Sequence, residues 1–146
     1  MIKIDYPAQN FRMKKENDRE IIFDELRKLW VRLTPEEWVR QNFIGYLVQT
    51  MKYPSTLVAV EKKIVIGEMV KRFDVLVYNK HHQPWMMVEC KSTDVQLKEE
   101  VLDQVLWYNI AVPVEFLVIT NGTHCMAFQK KDASLSPLTE IPAFAE

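Results

Sequence analysis

Three ionisable side chains sit inside the most β-like stretch of this 146-residue chain, RFDVLVYNKHHQPWMMVECK, residues 72–91. Asp74 interrupts one apolar run, and Glu89 and Lys91 close the other. Strand side chains alternate between faces. Phe73, Val75 and Val77 are therefore expected on one face, with Arg72 and Asp74 on the other. Likewise Met86, Val88 and Cys90 should oppose Met87, Glu89 and Lys91. If both apolar sets cover the same core, Asp74, Glu89 and Lys91 emerge together on strands ~5 Å apart. Two carboxylates so placed suit a hard divalent cation such as Mg²⁺, which takes one or two protein carboxylates plus water and phosphate oxygens. The backbone carbonyl of Cys90 is a further candidate ligand. Lys91 would orient a water or offset charge on a phosphate. The chemistry indicated is metal-assisted phosphodiester hydrolysis. The plainer alternative is that Glu-x-Lys at a strand end is a solvated pair worth ~0–1 kcal/mol.

A second constellation lies 13 residues on. Gln104 and Tyr108 in DQVLWYN are four apart, hence on one helical face. The simpler account is an amphipathic boundary, which Tyr readily occupies.

These residues need strands and helices to position them. TLVAVEKKIVI, KRFDVLVYN and PWMMVECK read as three strands, with short turns at Gly67 and at His81–Pro84. Before them, TPEEWVRQNFIGYLVQTM reads as a helix with Thr34 as N-cap, Pro35 in the first position and two acids in the first turn. After them, residues 92–112 keep a helical period, and Thr93 with Gln96 fits a capping box. EFLVIT-NG-THCMAFQ then reads as a hairpin over a type I′ Asn-Gly turn. Residues 17–33 fit two readings equally. Asn17 and Glu20 could open a helix carrying Ile22, Leu26, Leu29 and Leu33, or Leu29, Val31 and Leu33 could alternate in a hairpin. The whole is expected to be one domain, residues 1–146, with a loose arm over 1–16 and an irregular tail over 132–146. Its class is a mixed α/β sheet with helices packed on it.

Composition narrows the function. Only 3 glycines occur and no GxxxxGK[ST] pattern, which argues against an ATP-driven motor in this sequence. The N-terminus lacks the build of a signal peptide and no apolar run approaches a membrane span, which makes cytoplasm the expectation. Cys90 and Cys125 have no partners at metal or disulfide-framework spacing and are read as free, buried thiols. Residues 1–72 carry 14 Lys+Arg against 10 Asp+Glu, whereas residues 73–146 carry 5 against 10. The basic half allows a phosphate-facing surface, with Arg40, Lys62, Lys63, Lys71 and Arg72 as candidates. His81, His82 and His124 are read as turn residues, and the four tryptophans as packing residues.

Taken together, Asp74, a 14-residue gap, Glu89-x-Lys91 and the Gln104-x-x-x-Tyr108 helix resemble the PD-(D/E)xK nuclease superfamily. LTPEEWVRQ, KRFDVLVY, MVECKS, DQVLWYN and VITNG resemble more closely the N-terminal nuclease domain of type I restriction enzyme R subunits, over about residues 20–128. The resemblance implies a restriction-endonuclease-like αβββαβ core, Mg²⁺ (or Mn²⁺ in its place) and DNA cleavage. It makes Asp74 and Glu89 metal ligands, Lys91 the catalytic lysine, and Gln104 and Tyr108 helix residues that position DNA or the surroundings of Lys91. It also implies a glutamate from the first core helix, Glu36 or Glu37, of which Glu37 is preferred, although as the third residue after Thr34 it also fits a capping acid. Phe73 stands where the superfamily often has proline. Implied partners are DNA and a helicase-like motor or specificity subunit on another chain, and two cuts in a duplex would favour a homodimer. The competing expectation is a non-catalytic DNA-binding or assembly module that kept the fold.

Overall fold

The computed structural model describes residues 1–103, 114–132 and 134–144. Thr34 caps the first helix as expected: its Oγ1 accepts the Glu37 N–H at 3.0 Å, and helix α1 runs Pro35–Gly45. A π-helical turn, Tyr46–Thr50, continues it.

Among the described residues ten strands accompany it: β1 Ile2–Lys3, β2 Met13–Glu16, β3 Arg19–Asp24, β4 Leu29–Arg32, β5 Val58–Ile66, β6 Met69–Tyr78, β7 Pro84–Cys90, β8 Phe116–Thr120, β9 His124–Lys131 and β10 Ser134–Leu138. The main sheet has order β1-β9-β8-β7-β6-β5, with β10 also on β9. β5, β6 and β7 form the expected antiparallel meander. β7 and β8 are parallel, and the chain between them includes helical residues 99–103. The αβββαβ order is thus present within a mixed sheet.

Both sheet faces are covered. On one, Val39, Phe43, Ile44 and Leu47 pack over Val75, Val77, Met86, Val88 and Val118. On the other, Leu97 and Val114 lie with Phe73, Leu76, Met87, Leu117 and Ile119. That is why Trp85–Val88 is buried throughout instead of alternating.

Residues 17–33 take the hairpin alternative. Asn17 and Asp18 both have positive φ (52° and 62°), the signature of a type I′ turn. Asn17 is thus a turn corner, and β2-β3-β4 form a separate antiparallel sheet. The helical spacing of Ile22, Leu26 and Leu29 loses because Asp24 closes its own turn, accepting the Leu26 and Arg27 N–H groups at 2.8 and 3.0 Å.

Further expectations are corrected. The arm over residues 1–16 is tied down at both ends, since β1 pairs with β9 and β2 with β3, while residues 4–12 carry neither helix nor strand. The tail is not irregular throughout, since β10 pairs with β9 and buried Ile141 precedes Pro142, whose carbonyl takes the Tyr53 hydroxyl bond. Thr93 caps no helix: residues 93–95 form a turn and bend, and helix begins at 99. The Asn-Gly hairpin forms, but its two central residues are Gly122 and Thr123, as Asn121 N–H donates to the His124 carbonyl at 3.2 Å. Only Gly122 has positive φ (95°), the pattern of type II′ and not I′.

Candidate active site

The β6–β7 ladder stops at Val75 and Val88. One residue further on, a side chain replaces the backbone acceptor, and Asp74 Oδ2 accepts the Cys90 N–H at 2.8 Å. The strands therefore part at the point where Asp74 and Glu89 lie side by side. Lys91 Nζ is 3.6 Å from Glu89 Oε1, and its backbone N–H is anchored on the Thr120 carbonyl at 2.8 Å.

Alternation fails here for a local reason. Val60 on β5 and Val75 on β6 pack on the α1 side, but Ile64 and Phe73 pack on the other. The β5–β6 register is unchanged throughout. Both strands turn over at the Glu61–Asp74 level, where Glu61 has a left-handed φ of 51°. Phe73 therefore does not share a face with Val75 and Val77, as strict alternation required. Asp74 is brought instead against α1, with Oδ1 3.7 Å from Arg40 Nη1.

Electrostatics follow from that crowding. Burial, then the neighbouring Asp74 charge, pushes the Glu89 carboxyl up to about 7, and Lys91 offsets only part of this. Two acids held together against their repulsion favour a cation between them. Their oxygens are the hard donors that Mg²⁺ or Mn²⁺ takes. Among the described residues no group of three His, Cys, Asp or Glu could hold a metal. Remaining ligands would have to be backbone carbonyl, water or substrate phosphate, and the two carboxylates fit an ion held that way.

Glu37 is buried but is committed elsewhere. Its oxygens accept from Arg40 Nε (2.8 Å), Arg27 Nη2 (3.0 Å) and Gln41 Nε2 (3.2 Å). Asp24 completes the network, accepting from Arg27 Nε at 2.6 Å and Gln41 at 3.1 Å. Burial opposes ionisation of both acids, but their arginine and amide partners outweigh it and hold both carboxyls below the usual range. Glu37 thus reaches the site through Arg40, which also contacts Glu61 at 3.2 Å. Glu36 is exposed. Gln104 and Tyr108 lie outside the described residues.

A family model, the type I restriction enzyme R protein N terminus, matches residues 35–142. The chain belongs to that family. No curated protein matched the chain. As a type I R-protein N-terminal module it is related to restriction enzymes, and the match spans Glu37, Arg40, Glu61, Asp74, Glu89 and Lys91. Asp24, Arg27 and the β2-β3-β4 sheet lie before the matched region. Sequence reasoning named Arg40 only as a phosphate contact, whereas in this module it is buried among acids. It missed Asp24, Arg27, Gln41 and Glu61 altogether. A Glu-x-x-Arg-Gln run on one helix, able to pair with itself at i, i+3 and i, i+4, was the available signal.

The Asn121 side chain was also missed as a support. Its Oδ1 accepts the Thr123 and His124 N–H groups, and its amide donates to the Val95 carbonyl at 2.9 Å. It therefore ties the β8–β9 turn to the segment that follows Lys91. Cys90 and Cys125 are free and buried, as expected. No described helix is long and apolar enough to cross a membrane.

Proposed function

We propose that this module is a Mg²⁺-dependent deoxyribonuclease, with Mn²⁺ able to substitute, that hydrolyses phosphodiester bonds in DNA. The observation that carries it is the apposition of Asp74 and Glu89 beside Lys91 at the parted ends of β6 and β7. Asp74, Glu89 and the Cys90 carbonyl would hold the ion. Bound there, Mg²⁺ supplies neutralisation of phosphate charge and a more acidic water.

The chain's own groups do the rest. The Cys90 N–H fixes one Asp74 oxygen and so aims the other. Arg40 lies against Asp74, and Glu37, itself held by Arg27 and Gln41, fixes Arg40 in place. Glu37 is thus a positioning residue in this reading. Lys91 donates to the attacking water or to a non-bridging phosphate oxygen. Gln104 and Tyr108 are assigned to positioning DNA near Lys91. In this reading the module works alongside motor and specificity functions.

The test is cleavage of supercoiled and linear DNA in Mg²⁺ or Mn²⁺ by wild type, Asp74→Asn and Lys91→Ala. Each variant should lose at least about 100-fold in rate, the scale of removing a charge-stabilising group. Undiminished cleavage by both variants removes these residues from the mechanism and favours a non-catalytic DNA-binding module.

A further inference from the structure

Beyond Val75, β6 loses its β7 partner, yet β5 and β6 stay paired from Lys62–Phe73 out to Ile66–Met69. Five pairs at about 3.3 Å per residue make a two-stranded ribbon roughly 13 Å long. Buried Phe73 and partly buried Ile64 root it in the core. Outward of them its side chains are open: Val65 is 69% exposed and Val70 61%. Gly67 turns the tip with φ 62° in open space.

The faces of this ribbon are not alike. Val65 pairs with Val70, and Lys63 with Arg72. By alternation both pairs lie on the face away from Phe73 and Ile64, in line with Asp74. One ribbon face therefore presents, in order from the site, a carboxylate, two exposed cations and an exposed apolar pair. The acids nearby are Glu61 at the base and Glu68 in the tip turn. Lys62, exposed, and Lys71, half-buried, belong to the other face. An exposed apolar pair on a β-ribbon is an aggregation hazard unless something covers it. Cations on the same face, continuous with a carboxylate site for phosphodiesters, select a polyanion as that cover.

We propose that the β5–β6 ribbon is a DNA-gripping arm that enters the major groove of duplex DNA. Lys63 and Arg72 contact backbone phosphates, and Val65 with Val70 cover thymine methyl groups. The major groove, about 12 Å wide, admits a two-stranded ribbon, and the C5-methyl of thymine is its apolar feature. This inference rests on the nuclease reading for its choice of ligand, but its test is binding, not cleavage.

The experiment measures affinity of the full chain for a fluorescent duplex across a salt series in Ca²⁺, beside Lys63→Gln/Arg72→Gln, Val65→Ser/Val70→Ser and Lys62→Gln. Loss of two phosphate contacts should flatten the log–log salt slope by about 1.8, and Lys62→Gln should not. Replacing thymine by uracil throughout should weaken wild type about fourfold per methyl covered, and leave Val65→Ser/Val70→Ser unaffected. Arm variants that bind with wild-type affinity and slope overturn the arm, and mean that the tip serves a protein partner. Equal thymine and uracil affinities in wild type overturn the groove assignment. Arm-dependent binding without cleavage in Mg²⁺ or Mn²⁺ would leave the arm standing and remove the nuclease reading. No binding by wild type would overturn both.

Discussion

Asp74 answers to two demands, and a single substitution separates them. Its Oδ2 accepts the Cys90 N–H, a structural role, while its charge opposes that of Glu89. Asn keeps an oxygen for the amide and removes the repulsion, but gives up the 3.7 Å ion pair with Arg40. With the two charge effects opposed, Asp74→Asn should leave the urea midpoint little changed while cleavage is lost, the pattern of a site kept for activity and not for stability. A loss of stability beyond about 2 kcal/mol would mark the residue as mainly structural. Glu37 should behave in the opposite way. Removing it takes from Arg27 and Arg40 the carboxylate they share, leaving Asp24 to the first and Glu61 with Asp74 to the second, and breaking a buried pair from one side costs about 3 kcal/mol. Glu37→Ala should show that loss in urea denaturation. Asp74 and Glu89-x-Lys91 could be picked out from charge in a β-rich run. The Glu37–Arg40 pair could not be assigned a purpose, since the partners Asp24 and Glu61 are distant in sequence.

Turns and strand irregularities decide how the elements meet the site. Gly122 and Gly67 each occupy the first central position of a two-residue hairpin turn with positive φ. An added methyl at Gly122 would lie 3.1 Å from Val39 Cγ2 and 3.2 Å from Thr93 Cγ2, whereas Gly67 has open space. At either position a left-handed Cβ costs about 1–2 kcal/mol. Gly122→Ala should therefore lower the melting temperature more than Gly67→Ala, and only the former should disturb the Lys91 segment. The hairpins themselves were legible from Asn-Gly and from Gly67 between β-branched runs. Their turn types were not, because Asn121 uses its side chain for capping and so moves the turn one residue along. The inversion at Glu61–Asp74 was illegible for a similar reason. A left-handed glutamate leaves no trace in the hydrophobic pattern.

Across the molecule, acid sensitivity should concentrate where the N-terminal sheet meets α1. Asp24 and Glu37 both have folded carboxyls held below the ordinary range. Their contribution is present above the unfolded carboxylate value of about 4 and is lost as pH falls through the depressed folded values. The share of stability that Asp24 and Glu37 supply should hold at neutral pH and drop below about pH 4, whereas Glu89, pushed up to about 7, adds stability as pH falls from about 7 toward 4. Glu37→Gln should flatten the acid limb in urea melts taken from about pH 7 to 3. The amino-acid sequence by itself determined the order of helix and meander, the free thiols and the three charges of the site. These follow from local periodicity, capping and residue type. Tertiary structure alone decided that residues 13–32 form a sheet pinned to α1 by Arg27. It also decided that Asp74 turns toward α1, and that the β5–β6 ribbon runs on past its neighbour. Each depends on where strands stop pairing and on which distant charges share a buried space, and no window of sequence contains either.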